Sequence, residues 1–256
     1  MQSELTELSV TIVAYENRQD VLQAVESIEE CTSSSISKHI YIVDNSVPSI
    51  FTKEDFYEYP DVEVMAMPMN LGFGHGHNQV LPKLNSSFHA IVNPDIILKE
   101  DSFPILIDFL KEHDASIVAP KLITPDGEMQ KAYRHYPTVI DMFLRMFIKK
   151  GFEKRKNYHT LDYMDYTKAF QVPFIQGSFL VMKTEIFKEL KGFDERFFMY
   201  MEDADLCRRA NAIAPVYYCP DTFVVHKWEK GSHKSKTLFM HHVSSMCKYF
   251  LKWGFK

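Results

Sequence analysis

The sequence predicts an α/β protein with a mixed, mostly parallel central sheet, helices on both faces and a helical C-terminal tail. Three observations predict it. Short β-branched apolar runs alternate with helix-period segments through residues 8–120, the pattern of parallel strands joined by crossover helices. Two of those runs end in polar clusters, Asp44–Asn45 and Asn93–Pro94–Asp95, at the strand ends where such sheets bind ligands. With 256 residues, 46% hydrophobic and 25% charged, the chain has an ordinary globular composition and can bury a real core.

The elements follow in order. "LSVTIVAY" (8–15) reads as a first strand, and residues 18–31 as a helix with Val21, Leu22, Val25 and Ile28 on one face. "HIYIVDN" (39–45) and "VEVMAM" (62–67) read as the second and third strands. "GHGHNQVLPKL" (74–84) reads as a glycine-rich entry into a helix, "FHAIVNPD" (88–95) as the fourth strand, 101–113 as a helix and "ASIVAP" (115–120) as the fifth strand. "TPDGEM" (124–129) has hairpin-turn chemistry. Residues 137–170 read as irregular, aromatic and basic; "GSFLVMK" (177–183) returns to strand, and "VYYC" and "TFVVH" (216–226) read as two short strands.

Composition excludes several classes. A net charge of −5 provides no global basic field for nucleic acid. No run of about 18 apolar residues predicts a transmembrane helix. Cys31, Cys207, Cys219 and Cys247 form no CxxC pair; with no signal peptide read at the N-terminus, the expectation is a reducing cytosol and free thiols. The glycine-rich loop holds neither GxGxxG nor GxxxxGK[ST], which argues against a nicotinamide cofactor and a P-loop kinase. His75 and His77 read as structural or solvated.

The polar strand ends carry the candidate chemistry. A lone carboxylate at the end of a buried strand, as Asp95 is placed, suits a Mg²⁺ or Mn²⁺ ion that also binds substrate phosphates. Asp44 in the matching position can accept the imide N–H of a pyrimidine base. Each also has a plain reading as a turn former. "FMYMEDADLCRRA" (198–210) sets Glu202, Asp203 and Asp205 between apolar bulk and Arg208–Arg209. Helix-dipole complementarity accounts for acids first and bases last. Carboxylates beside apolar bulk are also candidates for a raised pKa and base chemistry.

Taken together, "VTIVAYENRQDVLQAVESI", "IYIVDNS", "NLGFGHGHNQ", "AIVNPDIIL" and "FIQGSFLVMKTEIFKELKGFDERFFMYMEDADLCRR" resemble family 2 glycosyltransferases of the GT-A (Rossmann-like) fold. The likeness is to the rhamnosyltransferase-like branch of bacterial surface-polysaccharide synthesis, and it covers about residues 8–226. The resemblance implies a nucleotide-sugar donor, a divalent metal and inversion at the anomeric carbon. It puts the metal-binding acid on Asp95, with His226 near metal and diphosphate. Nucleotide and donor contacts fall on Ala14, Tyr15, Asp44, Asn70, Gly72, Asn93 and Asp95. The catalytic base falls on Asp203, with Glu202 as its neighbour. Gln176 and Gly177 ahead of that motif, with Tyr200, read as a donor–acceptor pocket where small residues allow close approach, and Gln176–Gly177–Ser178 equally as a simple strand entry. The family's DxD is Asn93-Pro-Asp95 here, with one carboxylate, and its usual Tyr–Asn after strand one is Tyr15–Glu16–Asn17.

The expected organisation is a catalytic domain over 1–226, with a nucleotide half to about 120 and an acceptor half over 121–226, then a tail over 227–256. The expected donor is dTDP-rhamnose, with a UDP-hexose or galactofuranose donor as the alternative; a nucleotidyltransferase or a non-catalytic nucleotide-sugar-binding domain is the other class. The expected acceptor is a glycan or polyprenyl-diphosphate-linked glycan, reached from the cytoplasmic face by peripheral association. Phe239, Val243, Met246, Phe250 and Trp253 recur at helical spacing, with Lys248, Lys252 and Lys256 on another face. They fit either a helix packed on the domain or one lying in the headgroup region, and residues 142–156 share that character.

Overall fold

Alternation in the first half resolves into strands and helices close to those read from sequence. A computed structural model describes residues 6–148, 151–227 and 236–255. β1 (Thr6–Ala14), α1 (Arg18–Cys31), β2 (Lys38–Asp44), a 3₁₀ turn (Lys53–Phe56), β3 (Val62–Ala66), α2 (Phe73–Asn78), β4 (Ser86–Val92), β5 (Ile96–Ile97), α3 (Ser102–Glu112) and β6 (Ile117–Ile123) come first. β7 (Tyr133–Arg134), α4 (Val139–Phe147), α5 (Glu153–His159), β8 (Phe170–Gln171), β9 (Phe174–Ile175), β10 (Phe179–Lys183), α6 (Thr184–Glu189), α7 (Glu202–Ala210), β11 (Val216–His226) and α8 (Lys236–Trp253) follow.

The main sheet runs β3-β2-β1-β4-β10-β6-β11-β5, with β8 on β11. β1 pairs parallel with β2 and β4, β2 with β3, and β6 with β11. β10 is antiparallel to both β4 and β6, so strands from both halves of the chain complete one sheet. β7 and β9 form a separate antiparallel ribbon.

Residues alternate across the pleat and build a core on each face. Leu8, Val10 and Ile12 of β1 pack with Val21, Val25 and Ile28 of α1 and Phe103, Leu106 and Leu110 of α3. Val13, Val43, Ile91 and Leu180 face the other way, onto Phe187 of α6, Leu206 of α7 and Tyr249 and Phe250 of α8. Each such aliphatic or Phe side chain contributes about 1.5–3 kcal/mol when fully buried.

Three expectations are corrected. The helix read over 74–84 stops at Asn78 and continues as turns (Leu81 N–H to the Asn78 carbonyl, 3.1 Å), because Pro82 cannot extend it. The two short strands over 216–226 are one strand, β11, with a register shift between Cys219 and Phe223, where Pro220 lacks a ladder donor. The irregular 137–170 stretch contains α4 and α5; Thr138 caps α4 by accepting the Asp141 N–H at 3.2 Å, a spacing present in the sequence.

The tail is packed on the domain. Tyr249 and Phe250 are buried, and Ser245 Oγ donates to the Met199 carbonyl at 2.8 Å. Lys248 Nζ donates to the Arg196 carbonyl (2.6 Å), and Lys252 Nζ meets Asp194 (2.8 Å) and Asp205 (2.6 Å). The lysines expected to face lipid are thus engaged with protein, except Lys256, which lies outside the described residues, as do Lys149 and Lys150 of the second stretch.

Candidate active site

Parallel pairing brings the ends of β1, β2, β4, β6 and β11 to one edge of the sheet. Ala14, Asp44, Asn93–Asp95 and His226 therefore gather there. β10 runs the opposite way, so Gln176–Ser178, which precede it, arrive at the same edge. The Asn93 N–H donates to the Ser178 carbonyl at 2.8 Å, joining the β4 and β10 ends.

His226 is set against Asp95 by β5, whose Ile96 is its antiparallel partner. His226 Nε2 lies 3.3 Å from Asp95 Oδ2. Gln130 holds the other side of the ring. Its Nε2 donates to the His226 carbonyl at 2.7 Å, which turns Oε1 onto His226 Nδ1, also at 2.7 Å. An amide oxygen only accepts, so Nδ1 carries a proton and Nε2 is the ring atom turned to Asp95. Asp95 Oδ1 is buried with no hydrogen-bond donor among the described residues. The carboxylate suits Mg²⁺ or Mn²⁺, and Nε2 could serve as a second ligand wherever it carries its lone pair. No group of three or more His, Cys, Asp or Glu suited to a metal occurs among the described residues, so diphosphate oxygens and water would complete the coordination.

Glu202 and Asp203 open α7, after two residues in the left-handed region, Tyr200 (φ 70°) and Met201 (φ 68°). Non-glycine residues there cost about 1–3 kcal/mol each, a strain concentrated at functional segments. Asp203 Oδ1 accepts the Ala204 N–H (2.8 Å) and Oδ2 the Gly177 N–H (3.2 Å). Glu202 is buried and its Oε2 has no donor among the described residues. Burial, then the adjacent Asp203 charge, push Glu202 up to about 8. Burial also raises Asp203, opposed by those two N–H groups and by the charge of Arg134. Both acids are thus raised, and Asp203 is the one whose charge is supported by two N–H donors, whereas Glu202 Oε2 has none among the described residues.

The remaining candidates divide. Asp44 has no exposed surface; Ser46 N–H (2.9 Å), Ser49 Oγ (2.6 Å) and Ile50 N–H (2.8 Å) donate to its carboxylate. It shapes the loop 46–50, and a base could reach it only if that loop moved. Ala14 is buried and its carbonyl accepts the Asn45 N–H at 2.9 Å, while Tyr15 is half-exposed. Asn70 Oδ1 accepts the Gly72 N–H (2.9 Å), and Asn45 Nδ2 donates to the Gly72 carbonyl (3.2 Å). A Cβ on Gly72 (φ +96°) would lie 2.0 Å from the Phe198 carbonyl oxygen, so only glycine lets this loop touch the segment ahead of α7. Asn93 Oδ1 and Ser178 Oγ are buried without partners among the described residues. A Cβ on Gly177 would lie 3.3 Å from the Asp203 Cβ. Tyr200 packs against His242 of α8, ring centroids 4.7 Å apart. His77 is fully buried, and His75 instead meets Glu195 at 3.2 Å, so the two do not form a chelate.

A family model described as "Glycosyltransferase like family 2" matches residues 6–240. The chain belongs to this family. Among its relatives is the N-acetylglucosaminyl-diphospho-decaprenol L-rhamnosyltransferase of Mycobacterium tuberculosis, 25% identical over 255 residues, covering 93% of this chain and 82% of that protein. Rhamnosyltransferase WbbL of Escherichia coli is 25% identical over 223 residues, covering 82% and 81%. The fold is that of the solved GalNAc-T7, crystallised with UDP, GalNAc and Mn²⁺, at a TM-score of 0.68 and 15% identity, over 98% of this chain and 48% of that one. This chain spans less than half of that solved protein.

Two residues of this glycosyltransferase's site escape the sequence reading. Gln130 comes directly after the "TPDGEM" turn, which returns the chain along the end of β6 (Gln130 N–H to the Leu122 carbonyl, 2.8 Å); only that return puts it on His226. Arg134 lies on β7, opposite Phe174 in the ribbon, and its charge acts on Asp203 from a distant part of the chain. No local motif marks either one.

Proposed function

We propose that this family 2 glycosyltransferase inverts configuration as it moves L-rhamnose from dTDP-rhamnose to a polyprenyl-diphosphate-linked glycan in surface-polysaccharide synthesis. It would do so as a peripheral protein on the cytoplasmic face of the membrane. The observation that carries the reading is the shared edge: the entry to β10 contacts both parts, the Ser178 carbonyl accepting the Asn93 N–H two residues before Asp95 and the Gly177 N–H donating to Asp203. The rhamnosyl reading follows the names of both relatives, and the lipid-linked acceptor that of the mycobacterial one alone.

Each residue has a definable part. Asp95 and His226 would hold Mg²⁺ or Mn²⁺, which supplies charge neutralisation on the departing nucleoside diphosphate. Gln130 fixes the His226 ring. Gly177 leaves room beside Asp203 and fixes its carboxylate with an N–H. Asp203 accepts the proton of the acceptor hydroxyl as that oxygen attacks the anomeric carbon opposite the leaving group. Protonated Glu202 adds no second negative charge near the incoming hydroxyl. Among the described residues no helix is long and apolar enough to cross a membrane.

The test is transfer from dTDP-rhamnose, UDP-glucose and UDP-galactofuranose to a synthetic prenyl-diphosphate glycan, with the product's anomeric configuration read by NMR. Faster turnover of dTDP-rhamnose, with the opposite anomer in the product, supports the proposal. Preference for a UDP-sugar discards rhamnose, and retention discards Asp203 as a simple base.

A further inference from the structure

The surface beyond the β7–β9 ribbon carries a stack of aromatic rings. His135, directly after β7, lies face to face with Tyr158 of α5, centroids 4.2 Å apart and planes 14° off parallel. Tyr163 lies alongside, 5.7 Å from Tyr158 and 6.2 Å from His135, with planes 15° and 21° off parallel. His135 Nε2 and the Tyr163 hydroxyl also share a hydrogen bond of 2.9 Å.

The stack is firmly built yet left open. Tyr158 and Tyr163 are 58% and 59% exposed, whereas rings that stack only to fill a core gain by full burial. The chain around them is pinned. The His135 N–H donates to the His159 carbonyl (2.9 Å) and the Asp162 N–H to the Asn157 carbonyl (2.9 Å). Between them Leu161 is buried in the left-handed region (φ 55°), a conformation that costs a non-glycine residue about 1–3 kcal/mol and concentrates at functional segments.

A cavity of about 360 Å³ opens against both tyrosines, with Lys154, Asn157 and Asp162 as the rest of its lining. Its volume is at the low end for ligand sites. Asp162 is held by Lys131 (2.9 Å) and by the Thr160 hydroxyl (2.7 Å), and a carboxylate has further lone pairs to offer. Lys154 brings donors, and the Asn157 amide brings both a donor and an acceptor. Aromatic faces beside mixed donors and acceptors match a pyranose, which has an apolar C–H face and a rim of hydroxyls; the C–H face is attracted to the negative face of a ring.

The stack also connects to the chemistry. Three residues before His135, the Ala132 carbonyl accepts the Gln176 N–H at 3.0 Å, and the next residue, Gly177, donates to Asp203. Three residues of extended chain span at most roughly 10 Å, so a sugar on the tyrosines would be a neighbour of the unit that reacts at Asp203.

We propose that the Tyr158–Tyr163 face and its cavity hold a pyranose unit of the acceptor glycan, remote from the attacking hydroxyl, with the C–H face on the rings and the hydroxyls on Lys154, Asn157 and Asp162. The proposal rests on the glycosyl-transfer reading above and deepens it by giving the acceptor a second point of attachment.

The test is NMR titration of the full chain, its tyrosine rings labelled with ¹³C, with the methyl pyranosides of N-acetylglucosamine, glucose, galactose and rhamnose, in the presence and absence of saturating dTDP and Mn²⁺. At least one glycoside should shift the Tyr158 and Tyr163 signals, and the shift should persist when dTDP is bound. Tyr158→Ala and Tyr163→Ala should each weaken that binding about three- to tenfold, as expected for a lost ring contact, while Tyr158→Phe keeps it. Tyr57→Ala, at an exposed tyrosine outside this cavity, is the control and should bind as the parent does; circular dichroism reports that each variant is folded. No ring shift with any glycoside overturns the proposal whether or not dTDP binds, as do equal affinities in the parent and both alanine variants. Failure to bind dTDP while a glycoside shifts both rings removes the donor reading and leaves the sugar site. Ring shifts caused by dTDP alone would reassign the stack to the nucleotide base. Tyrosine-dependent binding to phosphatidylcholine vesicles without glycoside binding would reassign it to the membrane, and either result overturns the proposal.

Discussion

Gln130 grips His226 at both ends, taking the ring Nδ1–H on its amide oxygen and giving its own N–H to the His226 carbonyl, each at 2.7 Å. This contact fixes the ring so that Nε2 faces Asp95, 3.3 Å from Oδ2. Outer partners of metal-bound histidines typically matter by about 10–100-fold in affinity. Gln130→Ala is therefore expected to weaken Mn²⁺ binding by about that factor, measured by electron paramagnetic resonance on the protein without donor. Unchanged Mn²⁺ affinity would remove Gln130 from the site.

Asp203→Asn keeps the size and removes the proposed base. Transfer should fall about 10²–10⁴-fold while dTDP binding is retained. Glu202→Gln, which mimics a protonated acid, should retain most of the transfer at neutral pH. If Glu202→Gln is as inactive as Asp203→Asn, the roles of the pair are reversed.

The same pair makes stability depend on pH. Glu202 is raised from 4.5 to about 8 by burial and by Asp203. In the unfolded chain it ionises near 4.5; in the folded chain it holds its proton up to about 8. Between these values the folded state binds more protons, so its contribution is greatest at low pH and falls as pH rises. Glu202→Gln should flatten this decline and raise the melting temperature at pH 8 by at least about 2–4 °C, equivalent to about 1 kcal/mol in a chain of this size. Parallel melting curves from pH 5 to 8 would contradict the assignment.

Gly72→Ala tests the contact between the glycine-rich loop and the segment before α7. With a Cβ 2.0 Å from the Phe198 oxygen and φ at +96°, the loop has to move. The expected cost is about 1–3 kcal/mol, read from the urea midpoint. Gly127→Ala should cost less, because its Cβ meets nothing within 4 Å. An equal loss at both positions would mean that backbone strain, and not the Phe198 contact, sets the cost.

Asp205 locks α8 to α7. Arg209 Nε lies 2.8 Å, Lys252 Nζ 2.6 Å and Trp253 Nε1 2.8 Å from its buried carboxylate. Asp205→Ala strands those cations and should cost about 3–5 kcal/mol. Because Lys248 and Lys252 are engaged with protein, liposome cosedimentation should depend on Ile140 and Phe143 of α4. Ile140→Ser with Phe143→Ser is expected to leave the protein in the supernatant. Loss of binding through Lys248→Ser alone would restore the tail as the membrane contact.

Most of the first half was legible in the sequence because its signals are local. Periodicity marks α1, α3 and the parallel strands, and the polar ends of β2 and β4 mark a ligand edge. Glu202 and Asp203 stand out because acids beside Phe197–Met201 are chemically conspicuous. Arg208 and Arg209 could not be told apart by spacing; the structure gives Asp205 to Arg209 and lays Arg208 over Trp253, 4.5 Å from the ring centroid.

Only tertiary structure decided what depends on pairing between distant segments. The insertion of antiparallel β10 between β4 and β6 brings Ser178 to Asn93, and the return after the 124–129 turn brings Gln130 to His226. The Asp44 side chain turns into its own loop because three donors from residues 46–50 outcompete an outward orientation. Local patterns determine which segments form strands and helices and which residue types can do chemistry. Which of those residues meet is set by strand order and by buried polar groups finding partners, and neither is encoded within one turn or one strand.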